Sequence, residues 1–196
     1  MRIIENMKVL IVNNDNEGPT ELLQAFPGSG AVSWDNLNGV GVSKFNLVVL
    51  SGVGNDHFPI VGHEMDLQKE FDLIRSHPLP ILGICYGFEL IIVTFGGTLV
   101  RLPAEEKGIR DLELLGHDKV FAGIDTLRVY EGHRWVARTV ANPLVPLARS
   151  QHGIEAVKHK TLPIYGFQFH PEKHLDKTVG TIILRNFKAI VSSISA

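Results

Sequence analysis

Residues 79–97, "LPILGICYGFELIIVTFGG", carry the clearest structural signal in this sequence. The short apolar run 79–85 is typical of a buried parallel strand. The residues that follow have the length of a helix and end at two glycines, which commonly terminate helices. The only cysteine, Cys85, lies between the two and is flanked by Gly83 and Gly87. The stretch therefore predicts a strand, a sharp turn and a helix, with a cysteine at the turn.

Alternating strand and helix signals continue through the N-terminal half. Three further apolar runs are typical of strands, at 7–15, 31–37 and 45–56. Two segments with helix signals separate them, at 17–30 and 63–77. Strands that alternate with helices pair in parallel, with the helices on the faces of the sheet. We therefore expect ligands to bind at the carboxyl ends of the strands, where Cys85 lies.

The pattern changes near residue 98. The remaining chain holds short alternating pieces separated by Gly, Pro and Asp, including "LPIYGFQF" at 162–169, and closes with a helical segment at 175–194. Such pieces predict antiparallel hairpins. The sequence therefore predicts an α/β fold, as a single domain over 1–196. We expect a flavodoxin-like central parallel sheet flanked by helices, with added antiparallel strands in the C-terminal half.

Composition excludes several functional classes. The chain has 196 residues, 44% of them hydrophobic and 20% charged, and a formal net charge of −2. Without a basic surplus we expect no nucleic-acid partner. No apolar run approaches the roughly 18–20 residues of a membrane span, and the N-terminus lacks a signal-peptide pattern. The single cysteine cannot form an internal disulfide, so we expect a soluble cytoplasmic protein with no membrane partner.

Cys85 has two interpretations. Cysteine is often a buried core residue, and a lone cysteine favours that role. Gly83 and Gly87 favour the other, because a strand–Gly-x-Cys-x-Gly–helix turn is the thiol form of a nucleophile elbow, which needs small neighbours. The N-terminus of the following helix is expected to lower the pKa of the thiol. We therefore expect a catalytic nucleophile at Cys85.

A thiolate nucleophile needs a base, and the segment "GFQFHPEKH" at 166–174 offers one. Its strand-like residues end at His170, and Glu172 follows two residues later. A carboxylate at that spacing can hold one imidazole nitrogen and leave the other for the nucleophile. The alternative is a histidine and a carboxylate at a solvated strand end. Together with the cysteine turn, the segment predicts a catalytic triad of Cys85, His170 and Glu172.

A third segment, "LSGVGND" at 50–56, follows a predicted strand. Backbone N–H groups in its glycine turn, with that of Tyr86, are suited to stabilise a tetrahedral oxyanion on Cys85, while an ordinary turn is the alternative. Histidine pairs near these strand ends, such as His170 and His174, lack a carboxylate or thiol cluster to complete a ligand set. The sequence therefore predicts no metal site.

Together these three segments resemble the class I, triad-type glutamine amidotransferases. Members of that family carry Gly-x-Cys-x-Gly-x-Gln at the elbow, a Ser-Gly-Gly-Pro type turn, and a "GxQFHPE" segment near the C-terminus. Here the segments read "GICYGFE", "SGVGND" and "GFQFHPE", and the likeness covers nearly the whole chain. The Cys-Tyr-Gly form and "RVYEGHRW" at 128–135 are most similar to the amidotransferase subunits of GMP synthetase.

The resemblance implies a reaction. Glutamine is the implied substrate, hydrolysed to glutamate and ammonia through Cys85, His170 and Glu172. The ammonia is implied to pass to a separate ATP-dependent synthetase subunit, of the GMP synthetase ATP-pyrophosphatase type, and no cofactor is implied. The resemblance also implies oxyanion donors at Val53, Gly54 and Tyr86. It implies substrate-binding residues at Gly52, Glu89, His133, Arg134 and Trp135.

Two departures from the family pattern keep other functions open. Glu89 replaces the usual glutamine, which lies near bound glutamine in relatives, and its charge would alter how the substrate is held. Val53 stands within the oxyanion turn, where a β-branched residue disfavours positive φ. The alternatives are a stand-alone hydrolase of another γ-glutamyl amide, an amidotransferase-like regulatory or binding protein without turnover, and a flavodoxin-like binding module with a structural cysteine.

Overall fold

A computed structural model describes residues 7–54, 58–76 and 79–194, which form nine strands and four α-helices. The strands are β1 (Val9–Asn13), β2 (Gly30–Ser33), β3 (Leu47–Leu50), β4 (Ile81–Ile84), β5 (Thr98–Leu114), β6 (Leu127–Thr139), β7 (Leu144–Arg149), β8 (Ile154–His159) and β9 (Ile164–Phe167). The helices are α1 (Thr20–Ala25), α2 (Gln68–Ser76), α3 (Tyr86–Thr94) and α4 (Gly180–Ile194). No helix within these ranges is both long enough and apolar enough to cross a membrane.

The nine strands of the described residues form one sheet, in the order β2-β1-β3-β4-β9-β8-β6-β5-β7. From β2 to β9 the neighbours are parallel, and from β9 to β7 they are antiparallel. β7 also pairs with β8, so β5 to β8 close into a cycle of four antiparallel strands. The carboxyl ends of the five parallel strands therefore lie along one edge, which is where α/β sheets bind ligands.

The parallel strands are buried on both faces. In β3, Leu47 and Val49 join one core cluster, while Val48 and Leu50 join the other, because successive side chains of a strand point to opposite faces. Residues of α1 and α4 pack in the first cluster, and those of α2 and α3 in the second. Helices on both faces explain why these strands read as continuous apolar runs in the sequence.

The alternating strands and helices predicted for the N-terminal half are confirmed, with shorter elements than expected. The strand predicted at 31–37 ends at Ser33, because residues 34–39 form a 3-10 helix. The prediction of an antiparallel strand within residues 162–169 is only half right. The strand they contain, β9, is antiparallel to its neighbour β8 but parallel to its other neighbour, β4. All four residues of β9 are buried, as in the other inner strands. This placement sets the segment after β9 beside the segment after β4.

Candidate active site

Cys85 lies on a strained turn between β4 and α3. Its backbone has φ 52° and ψ −105°, and positive φ is rare outside glycine. A methyl group added to Gly83 would lie 2.4 Å from the carbonyl oxygen of Gly87, and one added to Gly87 would lie 2.3 Å from that of Leu50. Neither position accepts a side chain without a backbone shift. The two flanking glycines therefore make this turn possible, as the sequence predicted.

His170 and Glu172 follow β9 at the same edge of the sheet. The backbone N–H of His170 donates to the carbonyl oxygen of Tyr130 at 2.9 Å, which ties this segment to β6. Nδ1 of His170 lies 2.7 Å from Oε1 of Glu172. Both side chains are buried, so the carboxylate contact is shielded from water. With Nδ1 engaged in this way, Nε2 is the ring nitrogen left to exchange a proton with another group.

Gly52, directly after β3, marks the point where the cysteine and the histidine meet. A methyl group added to Gly52 would lie 3.0 Å from Cε1 of His170 and 3.8 Å from Sγ of Cys85. On the other side, the carbonyl oxygen of Gly132 lies 3.8 Å from the same sulfur. A methyl group on Gly132 would in turn lie 3.8 Å from Nε2 of His170. Gly52 and Gly132 thus each lie close to both the cysteine and the histidine, and neither carries a side chain that would fill the space around the sulfur and the imidazole.

The pKa of Cys85 differs from the sequence-based expectation. Burial raises it well above the ordinary value, and the carboxylates of Glu89, Glu172 and Glu131 add to the effect. The backbone N–H of Tyr86 opposes this rise but does not overcome it. The start of α3 therefore acts in the predicted direction, but the prediction of a lowered pKa is wrong, because burial makes the net shift upward. The resting cysteine is a thiol, so it needs a base to remove its proton when it reacts.

The predicted oxyanion turn is described as far as Gly54, and residues 55–57 of "LSGVGND" lie outside the described residues. Within the described ranges, the only non-glycine residues with positive φ are Cys85 and His174. Val53 therefore has ordinary backbone geometry, and the expected conflict between its β-branched side chain and positive φ does not arise. The carbonyl oxygen of Ser51 accepts the N–H of Gly87 at 3.2 Å, which ties the turn to the cysteine elbow.

A pocket of about 670 Å³ opens onto Cys85. Eight of the eleven predicted site residues line it, and the exceptions are Gly52, His170 and Glu172, which line a smaller recess that shares Val53 with the main pocket. The sequence analysis missed Arg101 and Glu105, which also line the main pocket. Arg101 pairs with Trp135 in the β5–β6 register, a contact between distant residues that has no local sequence signal.

Glu89 lies in the first turn of α3 and contributes to the wall of this pocket. Its side chain is buried, and Oε1 accepts a hydrogen bond of 3.0 Å from the side-chain amide of Gln168. Burial raises the pKa of Glu89 to about 7, although Gln168 and His133 favour the charged form. The carboxyl group is therefore held by the protein near the substrate space and is close to half-protonated at neutral pH.

His133, Arg134 and Trp135 all line the main pocket from β6, but they are not alike. The two ring nitrogens of His133 face protein atoms: Nδ1 is 2.9 Å from the carbonyl oxygen of Trp135, and Nε2 is 2.9 Å from Oε2 of Glu131. Burial opposes a charge on the ring, yet nearby carboxylates outweigh it and raise the pKa of His133 to about 9. Arg134 is exposed at the pocket.

Comparisons with known proteins agree with this arrangement. The family model described as Glutamine amidotransferase class-I matches residues 7–190 of the chain. The chain is 42% identical over 140 residues to a subunit of glutamine-hydrolysing GMP synthase from Pyrococcus abyssi, covering 70% of this chain and 73% of that protein. It is 37% identical over 128 residues to the subunit of the same name from Methanocaldococcus jannaschii, covering 62% and 67% respectively.

Solved structures are similar over nearly the full length. A crystal structure from Thermoplasma acidophilum, of a protein provisionally named as a GMP synthase subunit, has a TM-score of 0.83 and 26% identity, and the match covers 96% of both chains. A glutamine amidotransferase from Thermotoga maritima matches 97% of this chain and 95% of its own, with a TM-score of 0.69 and 19% identity, which speaks for the fold alone.

Proposed function

The chain belongs to the class I glutamine amidotransferase family, and on that premise we propose that it hydrolyses the side-chain amide of glutamine at Cys85. The observation that carries this proposal is the meeting of three groups at the strand ends. Cys85 and His170 both lie beside Gly52, and Glu172 holds Nδ1 of the imidazole. This is the geometry that a nucleophile, its base and an orienting carboxylate require.

In the first half of the proposed reaction, the Cys85 sulfur attacks the amide carbon of glutamine while Nε2 of His170 takes the thiol proton. The Glu172 carboxylate stabilises the imidazolium that forms, in a site from which water is largely excluded. The oxyanion of the tetrahedral intermediate is stabilised by backbone N–H groups, which we assign to Val53, Gly54 and Tyr86.

In the second half, the imidazolium of His170 protonates the departing nitrogen, so that ammonia leaves and a thioester with Cys85 remains. His170 then removes a proton from water, which attacks the thioester carbon. Collapse of this second tetrahedral intermediate releases glutamate and returns the proton to the sulfur. Because the resting pKa of Cys85 is raised by burial, proton transfer to His170 has to accompany attack rather than precede it.

We assign the ammonia to a separate ATP-dependent synthetase subunit of the GMP synthetase type. The relatives named above are subunits of a glutamine-hydrolysing GMP synthase, which supports this partner. We also place the protein in the cytoplasm and treat residues 1–196 as one domain. The strand order 2-1-3-4-9 in the parallel half supports the flavodoxin-like description of the sheet.

The test is ammonia release from glutamine, measured with the chain alone and with a purified ATP-pyrophosphatase subunit of GMP synthetase, ATP and XMP. We expect Cys85→Ala to lower the rate by about 10⁴-fold or more and His170→Ala to have a similar effect, since triad members act as a unit. His174→Asn is the matched control, because His174 is exposed and its positive φ suits asparagine. A Cys85→Ala variant with the wild-type rate would overturn the mechanism.

A second candidate, hydrolysis of a different γ-glutamyl amide, is favoured by Glu89 alone. A buried carboxyl group with a pKa of about 7 is half-charged where the family has a neutral amide. If glutamine is the substrate, wild type and Glu89→Gln should both release ammonia from it. If only Glu89→Gln does so, the native site takes a different amide, and a panel of γ-glutamyl amides with the wild-type chain then identifies it.

A further inference from the structure

Three buried ionisable side chains meet between β6 and β8, behind the wall of the main pocket. Glu131 and His133 come from alternate positions of β6, so both lie on the same face of that strand, and Glu155 comes from β8. One ligand atom from each lies within 4.8 Å of the other two. The relative exposures are 1% for Glu131, 4% for His133 and 1% for Glu155.

Most polar atoms of this cluster lack hydrogen bonds. Neither carboxylate oxygen of Glu131 has a hydrogen-bond partner, nor does Oε2 of Glu155. Nε2 of His133 lies 2.9 Å from Oε2 of Glu131 and 3.8 Å from Oε2 of Glu155, which are ion-pair distances when the ring is protonated, but neither contact meets the geometric criteria of a hydrogen bond. Burying carboxylates with so few partners costs several kcal/mol unless a further group compensates them.

The other polar atoms of His133 and Glu155 make hydrogen bonds to the protein, as the atoms of metal-binding side chains that do not touch the ion usually do. Nδ1 of His133 lies 2.9 Å from the carbonyl oxygen of Trp135, so in a neutral ring this nitrogen carries the hydrogen and Nε2 has a free lone pair. The hydroxyl of Ser150 donates to Oε1 of Glu155 at 2.5 Å, which leaves Oε2 facing the cluster. The three potential ligand atoms are thereby turned towards one another.

We propose that Glu131, His133 and Glu155 bind one divalent transition-metal ion, of the Zn²⁺ or Mn²⁺ class. One imidazole nitrogen with two carboxylates suits these ions, whereas Mg²⁺ and Ca²⁺ favour oxygen ligands alone. Charge also favours the proposal. A divalent ion would neutralise two ionised carboxylates beside a neutral imidazole.

The cluster borders a second cavity, separate from the main pocket. Glu131 and Glu155 line a separate cavity of about 220 Å³, whose wall also includes Ser150 and His152. His133 lines the main pocket instead, so an ion that entered from the second cavity would approach the two buried carboxylates without crossing the substrate pocket.

A metal ion here would also position the strand beside the nucleophile. Glu131 and His133 flank Gly132, whose carbonyl oxygen lies 3.8 Å from Sγ of Cys85. Anchoring both neighbours of Gly132 to β8 through Glu155 would fix the distance between this carbonyl group and the sulfur. The proposed role of the ion is therefore structural support of the site, with no step of the amide hydrolysis passing through it.

The experiment uses the tag-free full chain carrying Cys85→Ala, so that the thiol and His170 do not compete for metal. After treatment with a chelator, Zn²⁺ and Mn²⁺ are titrated by calorimetry, and metal content is measured after gel filtration. We expect one ion per chain. Glu131→Gln and Glu155→Gln should each weaken binding by at least about 10-fold. Glu70→Gln, which alters a buried glutamate outside the cluster, should leave the affinity unchanged.

A spectroscopic measurement keeps the test decisive if a glutamine variant fails to fold. Co²⁺ added to the folded Cys85→Ala chain should give visible absorption bands of a nitrogen- and oxygen-ligated ion, and Zn²⁺ should displace it. Zn²⁺ should also raise the midpoint of thermal unfolding by several degrees. The proposal is overturned if no saturable site for either ion appears, if folded Glu131→Gln and Glu155→Gln bind as tightly as the parent, or if the Co²⁺ bands are absent.

Discussion

The parallel half of the sheet, β1 to β4 with β9, and the antiparallel half, β5 to β8, hold their functional groups by different means. In the parallel half the reactive atoms are placed by the backbone, through glycines at close approaches and a strained residue at Cys85. In the antiparallel half the pocket wall is placed by side chains, through the buried cluster around His133. The nucleophile and base come from the first half, and Arg134 and Trp135 come from the second.

Because of this difference, the backbone of the cysteine elbow is rigid, whereas the side chains of the pocket wall can be exchanged. A backbone collision cannot be relieved by a rotamer change, so the elbow tolerates no substitution at its glycines. Side-chain contacts can be retuned one at a time by exchanging a residue or its charge, which makes the antiparallel half the natural place to vary what the pocket binds. We therefore expect substitutions in the two halves to differ both in size and in kind.

Gly87→Ala should have the largest effect. Its new methyl group would lie 2.3 Å from the carbonyl oxygen of Leu50, so the turn cannot keep its present geometry. We expect the free energy of unfolding to fall by roughly 3 kcal/mol or more, and activity to be lost even in the folded fraction. Gly30→Ala in β2 is the control, because nothing lies within 4 Å of its methyl position. Equal denaturant midpoints for the two variants would contradict a sterically fixed elbow.

Glu172→Gln should affect rate rather than stability. The carboxylate lies 2.7 Å from Nδ1 of His170, and replacing it removes the charge that supports the imidazolium. We expect kcat for ammonia release to fall by about 10²- to 10⁴-fold, with little change in KM. Steady-state kinetics and a denaturation curve are both needed. A variant whose loss of activity only follows a loss of folded protein would assign Glu172 a structural role instead.

The pH dependence of stability provides a test at Glu70, a buried residue of helix α2, which packs against the parallel half of the sheet. Burial raises the pKa of this carboxyl group from 4.5 to about 8, so the folded protein binds a proton that the unfolded chain has released. Its contribution to stability is therefore complete below pH 4.5 and is lost as the pH rises to about 8. We expect the wild type to lose stability relative to Glu70→Gln over this interval, by up to about 1.4 kcal/mol per pH unit. Parallel pH profiles of the two proteins would show that Glu70 is not responsible.

Arg149→Gln should have the smallest effect. Arg149 and Glu113 link β7 to β5 through a contact of 2.8 Å, but their side chains are 53% and 57% exposed. Exposed pairs of this kind contribute little to the free energy of unfolding, because water screens the two charges. Chemical denaturation should show at most a small loss of stability, which shrinks when salt is added. The matched control is Arg138→Gln, which changes another exposed arginine of the antiparallel half. If Arg149→Gln lost several times more stability than Arg138→Gln, the exposed ion pair would be a major support of that half, contrary to our expectation.

The sequence predicted those parts of the protein that rest on local rules. Continuous apolar runs indicated inner strands because parallel strands are buried on both faces. The spacing of Gly83, Cys85 and Gly87 indicated the elbow because only small residues fit there, and "HPE" placed a carboxylate two residues from His170. The sequence alone also indicated the family to which the chain belongs, since these motifs occur in the family's order.

Only the tertiary structure decided the rest, because the remaining features depend on distant residues. The raised pKa of Cys85 comes mainly from burial, to which the nearby Glu89 and two carboxylates on other segments, Glu172 and Glu131, add, and no local pattern reports the burial or the two distant groups. Arg101 reaches the pocket through a register between β5 and β6. Glu131, His133 and Glu155 became a cluster only when β8 came to lie beside β6. Burial and strand pairing are properties of the folded chain, and they determine how charged groups behave when water is excluded.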